Sequence, residues 1–242
     1  MTRRNVKMRL NARWMAAAVA AMALVAVLLP SLPGGAHAAS MVKAAETKEL
    51  SKPAIVVLGD SMSAEYGLPR GTGWVALLRE RVTNARVDYS VVNASISGDT
   101  TSGGRARLPA LLQRVKPAIV IVELGGNDAL RGVPLATTED NLRAIMRAAQ
   151  QARAKVLLVG MAVPPNYGPD YAQKFQQLYG TLAKEMRVPL VPFLLAGIET
   201  RAELFQPDQI HPAQTAQPVL LNNVWPQLQP LLRITAPGAK TH

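Results

Sequence analysis

Short apolar runs that end in small or polar residues recur along the chain, with amphipathic stretches between them. Runs of this kind, rich in valine, isoleucine and leucine, are typical of strands buried in a parallel sheet. They predict strands at 54–58, 87–93, 118–124, 155–163 and 188–193. Apolar residues at helical spacing predict helices at 72–84, 104–115, 171–186 and 213–232, and a further helix that opens at 137. This alternation predicts one α/β domain, a three-layer α/β/α arrangement around a five-stranded parallel sheet.

Two of the predicted helices carry signals at specific positions. Thr137 and Asp140 have the spacing of a capping box, which predicts that a helix begins there. Pro218, Pro226 and Pro230 fall within the last helical stretch. Proline removes a backbone donor and clashes with the preceding turn, so these residues are expected to kink or shorten that helix.

The N-terminal segment has the pattern of an export signal. Five basic residues precede an unbroken apolar run at 15–29, and Ala36, His37 and Ala38 follow as a small-residue cleavage site. This predicts a secretory signal peptide at 1–38, cut before Ala39, and a periplasmic or secreted protein. An uncleaved membrane anchor is the alternative, although a spanning helix needs about 20 apolar residues. The adjacent Arg3 and Arg4 leave the twin-arginine route open.

The rest of the chain then divides into a short lead-in at 39–53, a globular domain at 54–234 and a C-terminal tail at 235–242. Removing the signal peptide lowers the formal net charge from +11 to +6. The remaining positive charge permits peripheral contact with anionic membrane lipid. No block of lysine and arginine with interleaved aromatic residues occurs, so nucleic acid is not an expected partner.

The chemistry open to the chain is limited by its scarce thiols and imidazoles. There is no cysteine, which excludes a thiol nucleophile, a disulfide framework and a thiolate metal site. Of the three histidines, His37 lies in the predicted signal peptide and His242 is the terminal residue. Only His211 remains as a base or ligand, so a metal site is not expected.

Small or polar residues follow the first three predicted strands. Ser61 comes after the first, Gly98 after the second and Asn127 after the third, while Asp208 and His211 lie three residues apart near the C-terminus. The carboxyl ends of parallel strands share one edge of the sheet, where open α/β proteins bind ligands. Each residue alone also fits an ordinary turn, helix cap or surface position.

Taken together, the five residues favour acyl transfer by a serine. Such a reaction needs a hydroxyl nucleophile, a base and an acid that orients the base, roles that Ser61, His211 and Asp208 match. It also needs donors for the oxyanion. The Ser61 and Gly98 backbone N–H groups and the Asn127 amide would supply them.

Four blocks of sequence resemble those of the SGNH (GDSL) hydrolases. They are G-D-S-M-S at 59–63, S-I-S-G-D-T at 95–100, G-G-N-D at 125–128 and D-Q-I-H-P at 208–212. Beyond these blocks, the sequence resembles the periplasmic thioesterase I, lysophospholipase L1 and arylesterase branch of that family. The resemblance implies a flavodoxin-like fold and an exported serine esterase that needs no cofactor. It assigns the triad to Ser61, His211 and Asp208 and the oxyanion hole to Ser61, Gly98 and Asn127.

The resemblance also extends to substrate binding. The segment 129–134 resembles the family's mobile acyl-binding loop, which implies contacts from Leu130, Gly132, Val133 and Pro134. Composition alone equally favours an ordinary connection to the next helix. The sequence departs from the family at Glu65, where a small residue, usually glycine, is expected, and this raises the question of how substrate fits there.

The implied partners are a small-molecule acyl ester, thioester or lysophospholipid, bound by a monomer. Two alternatives remain open. One is a carbohydrate O-deacetylase on the same fold, and the other is a non-catalytic lipid- or glycan-binding protein that uses the same cleft. An α/β-hydrolase is disfavoured because no G-x-S-x-G elbow occurs.

Overall fold

All five strands that the apolar runs predict are present, and they pair in one parallel sheet. The computed structural model describes residues 52–163 and 165–232. The predicted signal peptide, most of the lead-in and the tail lie outside the described residues. The strands are β1 (Ala54–Gly59), β2 (Ser90–Asn93), β3 (Ile119–Glu123), β4 (Lys155–Val159) and β5 (Leu190–Val191).

The strand order places a topological switch at the centre of the sheet. The order is β2-β1-β3-β4-β5, so the chain steps outward from β1 to β2 and then returns to β3 on the other side of β1. Ile55 of β1 pairs with Val91 of β2 and with Ile119 of β3. In an open parallel sheet the crevice at the carboxyl end of such a switch is the usual ligand site.

Helices cover the sheet. The described helices are α1 (Trp74–Asn84), α2 (Thr101–Val115), α3 (Gly126–Leu130), α4 (Leu135–Gln151), α5 (Pro169–Met186) and α6 (Gln217–Leu228). Helices α1 and α6 form one packed group, and α4 packs between α2 and α5 in a second group. Short 3₁₀ turns lie at Pro165–Tyr167, Ala202–Leu204, Gln214–Ala216 and Gln229–Leu231. None of the helices described is long and apolar enough to cross a membrane.

The central strands form the base of the core. β1 and β3 are buried along their whole length. On the helical side, α5 buries Phe175, Leu178, Tyr179 and Leu182, whose spacing of three and four residues defines one helix face. Burying a large apolar side chain stabilises a fold by about 1.5–3 kcal/mol. The segments that leave β1 and β3 therefore start from a rigid base.

The prediction of where α4 begins was wrong. The helix begins at Leu135, its N-cap is Pro134, and no side chain caps it. Thr138 is buried and its hydroxyl lies 3.4 Å from Asp128, so this threonine faces the protein interior. The fixed φ of proline is compatible with a helix start, and the capping-box prediction did not take Pro134 into account.

Several other boundaries also differ from the predictions. β4 ends at Val159 and β5 has only two residues, because pairing stops where the chain turns away from its neighbour. The last predicted helix is divided into a 3₁₀ turn, α6 and a second 3₁₀ turn. Pro218 lies in the first turn of α6 and Pro226 inside it, while Pro230 lies in the final 3₁₀ turn. The prolines therefore shorten this helix as expected.

We predict opposite effects on stability for two glycine-to-alanine changes. A Cβ at Gly160, directly after β4, would lie 2.4 Å from the backbone oxygen of Pro192, whereas a Cβ at Gly180 in α5 would meet no atom within 4 Å. Gly160→Ala should lower the free energy of unfolding by about 1–3 kcal/mol because the backbone must move apart. Gly180→Ala should raise it by about 0.5–1 kcal/mol because alanine is the better helix former. Urea unfolding of both variants tests this, and equal effects would contradict the close backbone approach.

Candidate active site

A cleft of about 250 Å³ opens at the carboxyl edge of the sheet, where the first three strands end. Segments from distant parts of the chain meet there. Its lining residues are Asp60, Ser61, Met62, Tyr66, Ser97, Gly98, Gly126, Asn127, Leu130, Met161, Ile210 and His211. The cleft therefore brings together the predicted serine, histidine, glycine and asparagine.

A chain of hydrogen bonds links the serine to an imidazole and a carboxylate. His211 Nε2 lies 2.8 Å from Ser61 Oγ, and His211 Nδ1 lies 2.7 Å from Asp208 Oδ2. An imidazole placed in this way can accept the hydroxyl proton at one nitrogen while the carboxylate holds the proton at the other. The structure thus brings together the three residues predicted to form a triad.

Asp208 is held by more than the imidazole. Its Oδ1 accepts hydrogen bonds from the backbone N–H groups of Ile210 and His211, both at 3.0 Å. Desolvation alone would raise the pKa of Asp208, but the bonds from the His211 backbone, the imidazole and the Ile210 backbone outweigh it and lower that pKa to about 2. The carboxylate therefore stays ionised over the whole range in which an imidazole titrates.

Two further groups at the cleft are placed to donate hydrogen bonds. Gly98 has a φ of +78°, a conformation that favours glycine and leaves its N–H free of a shielding side chain. The Asn127 side-chain nitrogen donates one hydrogen bond to Asp60 Oδ2 at 2.9 Å. An amide nitrogen carries two hydrogens, so a second one remains for a ligand. The Asp60 carboxylate thus fixes the direction of the asparagine amide.

Arg107 ties the loop that carries Gly98 to the neighbouring segments. The Arg107 guanidinium pairs with Asp99 at 2.8 Å, and it also donates to the carbonyl oxygens of Ala94 and, at 3.4 Å, Gly59. These bonds connect α2 to both ends of the loop and to the end of β1. The Gly98 backbone is therefore held in a constant position relative to the strand that delivers Ser61.

Two buried carboxyl groups lie directly behind Ser61. Burial raises the pKa of Asp60 to about 6, against hydrogen bonds from Met62 and Asn127. Glu123, at the end of β3, is fully buried, and that burial together with the charge of Asp60 raises its pKa well above 4.5. Its Oε2 accepts bonds from Ser63 Oγ at 2.6 Å and from the Asp60 N–H at 3.3 Å. Glu123 was not predicted as a site residue, although an acidic residue that ends an apolar strand is a visible signal in the sequence.

The predicted acyl-binding residues do not all reach the cleft. Leu130 lines it and is half exposed, but Gly132, Val133 and Pro134 are not among its lining residues. Leu130 is the last residue of α3, a short helix that occupies part of the predicted loop. Next to it, the Arg131 guanidinium donates to the Gly98 carbonyl at 2.8 Å and links this segment to the glycine loop.

Other apolar residues that line the cleft were not predicted from the sequence. The Tyr66 ring lies against the His211 imidazole, tilted by 37° with ring centroids 4.4 Å apart, and Met161 and Ile210 line the cleft from other segments. Tyr66 and Ile210 are both exposed large side chains. No local sequence pattern distinguishes them, because their position depends on how distant loops meet.

Glu65 does not line the cleft. Its carboxylate accepts hydrogen bonds from the backbone N–H groups of Gly71 and Gly73, the second at 2.9 Å just before α1. Its φ is +60°, a conformation that glycine adopts without cost. This explains why a glycine suits the position, and the two backbone bonds offset the strain of a glutamate there.

The chain matches the model of the GDSL-like Lipase/Acylhydrolase family over residues 57–217. It is 52% identical over 186 residues to Esterase TesA of Pseudomonas aeruginosa, covering 77% of this chain and 92% of that protein. It is 45% identical over 178 residues to Thioesterase 1/protease 1/lysophospholipase L1 of Escherichia coli K12, covering 74% of this chain and 84% of the relative. The psychrotrophic esterase EstA from Pseudoalteromonas sp., inhibited by monoethylphosphonate, has a similar structure. Its TM-score is 0.70 at 37% identity, over 73% of this chain and 97% of EstA.

We predict that Glu123→Gln changes how stability depends on pH. An acid whose pKa is raised by folding binds its proton more tightly in the folded state, so its contribution to stability is present below its unfolded pKa and is lost as pH rises. Wild type should therefore lose up to about 1.4 kcal/mol per pH unit relative to Glu123→Gln above pH 5. Urea unfolding of both proteins from pH 5 to 8 measures the difference. Parallel curves would show that Glu123 is ionised in the folded protein.

Proposed function

The chain belongs to the GDSL-like lipase/acylhydrolase family, and from that premise we propose that it is an exported serine esterase whose nucleophile is Ser61. The observation that carries the proposal is the bonded series from Ser61 through His211 to Asp208, with two oriented donors beside it. A binding protein would need neither a serine in contact with an imidazole nor a buried acid that orients an amide. Hydrolysis uses all of these groups.

In the first half of the reaction, Ser61 Oγ attacks the carbonyl carbon of an ester or thioester while His211 Nε2 takes the hydroxyl proton. The Asp208 carboxylate stabilises the imidazolium that forms. The carbonyl oxygen becomes an oxyanion, which accepts hydrogen bonds from the Ser61 and Gly98 N–H groups and from the second hydrogen of the Asn127 amide. The tetrahedral species then collapses, and the imidazolium protonates the departing alcohol or thiol.

In the second half, water replaces the leaving group. His211 takes a proton from the water, whose oxygen attacks the acyl carbon and forms a second oxyanion in the same hole. Breaking the bond to Ser61 returns the proton from His211 to Oγ and releases the carboxylic acid. No step calls on a metal or other cofactor.

The apolar residues of the cleft indicate which acyl groups it binds. Leu130, Met161, Ile210 and Tyr66 present apolar surface next to the serine, and burying each methylene of an acyl chain gains about 0.8 kcal/mol. Acyl chains longer than acetyl should therefore be preferred over acetyl esters. The thioesterase and lysophospholipase activities in the relative's name fit such substrates, and both carry an acyl chain on a polar leaving group.

The proposal places the enzyme outside the cytoplasm. Its support is the basic N-terminus, the apolar run at 15–29 and the small-residue site before Ala39, which together are typical of a cleaved signal peptide. The substrates would then be esters of the periplasm or the medium, and contact with membrane lipid would be peripheral. We propose that the enzyme acts as a monomer, since a single chain supplies the complete bonded series from Ser61 through His211 to Asp208.

A substrate panel tests this function. Residues 39–242 should hydrolyse p-nitrophenyl esters, acyl-CoAs and lysophospholipids, and kcat/KM should rise with acyl length until the cleft is filled. Ser61→Ala and His211→Ala should each remove turnover while the folded content by circular dichroism stays that of wild type, because both residues lie at the cleft and not in the core. Leu130→Ala should flatten the rise with chain length. Residual turnover near wild type in the serine variant would sink the assignment.

Asn127→Ala tests the oxyanion hole by itself. It should lower kcat by about 10²- to 10³-fold and leave KM nearly unchanged, because the donor acts mainly on charge that develops during the reaction. Asn222→Ala, an exposed asparagine in α6 outside the cleft, is the matched control and should behave as wild type. An increase in KM at constant kcat would instead assign Asn127 to binding of the substrate ground state.

A further inference from the structure

The sheet positions Ser61 of the proposed triad but does not position His211. Ser61 follows β1, while His211 is 150 residues further along, on a segment that lies in no helix and no strand of the sheet. We call residues 205–213 the histidine loop and residues 60–67 the nucleophile segment. Asp208 belongs to the histidine loop and moves with it, so it can orient the imidazole but cannot set the distance from the loop to Ser61.

The histidine loop is closed on itself by backbone bonds. Phe205 and Pro212 form an isolated antiparallel bridge, and the Gln206 N–H donates to the His211 carbonyl at 2.7 Å. The Ala213 N–H donates to the Leu204 carbonyl, also at 2.7 Å. These bonds make the loop a compact unit. They do not attach it to the nucleophile segment.

Gln206 supplies one attachment. Its side-chain nitrogen donates to the Tyr66 carbonyl at 2.8 Å and to the Pro212 carbonyl at 3.2 Å. One amide therefore joins the nucleophile segment to the residue that follows His211. The fit is close, because a Cβ at Gly67 would lie 2.0 Å from Gln206 Oε1, and Gly67 has a φ of +68°. The positive φ favours glycine at that position, and a side chain there would displace the Gln206 amide.

Gln217 attaches the other side of the loop to the start of α1, where the Trp74 ring N–H donates to Ser63 Oγ of the nucleophile segment at 3.2 Å. Gln217 is buried at 1% exposure, and its side-chain oxygen accepts the Trp74 backbone N–H at 2.9 Å. That N–H is one of the donors left free at the start of α1, whose N-cap has no side-chain cap of its own. The Gln217 side-chain nitrogen donates to the carbonyls of Pro212 and Ala213, both at 3.3 Å.

Both glutamines therefore converge on the Pro212 carbonyl, one residue beyond His211. We propose that Gln206 and Gln217 are positioning residues that hold His211 at hydrogen-bond distance from Ser61. This inference rests on the proposed esterase function, since the distance matters for proton transfer. Each residue needs an amide, because a carboxylate would turn an oxygen toward the backbone carbonyls and an aliphatic chain would leave them without a donor.

The test replaces each glutamine with methionine, which has a similar length and no strong donor. Displacing a reacting group by about 1 Å can cost 10²-fold in rate, so Gln206→Met and Gln217→Met should each lower kcat by about tenfold or more with KM within about twofold of wild type. The acid limb of the pH profile should keep its position, because the bond from Asp208 to His211 is intact, while the plateau falls. Gln214→Ala, an exposed glutamine in the adjoining 3₁₀ turn, is the control and should match wild type.

Gln206 is only partly buried, so its variant should remain folded, which thermal unfolding checks. Nitrogen-15 signals of the His211 ring, assigned with a His242→Ala variant, give a readout that does not need turnover. They should shift in Gln206→Met and not in Gln214→Ala. A Gln206→Met protein with wild-type kcat and unshifted ring signals would overturn the positioning role proposed for the glutamines. If wild type showed no turnover on the whole panel but the ring signals still shifted in Gln206→Met, the esterase proposal would be overturned and the positioning role would stand.

Discussion

The pairing of β1 with β3 is the constraint on which the rest of the site depends. The two strands pair to their last residues, Gly59 opposite Glu123, so the segments that leave them start side by side. Position 59 has room only for glycine, since a Cβ there would lie 2.7 Å from Glu123 Oε2. Ser61 follows one strand end and Asn127 the other, and the Asp60 carboxylate joins them. The proposed nucleophile and one proposed oxyanion donor are thus fixed by the most deeply buried part of the sheet.

The position of the His211 imidazole is set by weaker interactions than those that fix the two strand ends. His211 lies on a loop outside the sheet, and its position relative to Ser61 is set by side-chain amides and by the ring of Tyr66. Hydrogen bonds of this kind each contribute only about 1 kcal/mol net. The site therefore combines a rigid half, which must stabilise charge at a constant place, with a half that is held by contacts from distant segments. Substrate specificity is expected to arise where the two halves meet, at Leu130 and Ile210.

The sequence was most informative at the strand ends, because they mark both a local element and a place where distant segments meet. The apolar runs predicted to end at Leu58, Asn93 and Leu124 indicate strands whose ends must share an edge, and the fold and the convergence of Ser61, Gly98 and Asn127 follow from that. Helix starts were less predictable, since Pro134 opens α4 in place of the capping box at Thr137.

The parts that sequence reasoning missed depend on contacts between distant segments. Gln206 and Tyr66 lie 140 residues apart, and no periodicity links them. Glu65 illustrates the same difficulty, because its role becomes visible only when its bonds to Gly71 and Gly73 are seen. Val133 was expected at the cleft on the strength of its place in the loop, yet the chain turns there and carries it away from the lining.

The most direct test of the central claim, that Ser61 is a nucleophile activated by His211, is to map a covalent adduct. Residues 39–242 would be treated with a fluorophosphonate, and the modified peptide would be located by tandem mass spectrometry. Wild type should carry one phosphonyl group on Ser61, Ser61→Ala should carry none, and His211→Ala should react at least about 10²-fold more slowly. Modification of a different residue, or equal labelling of wild type and Ser61→Ala, would contradict the account.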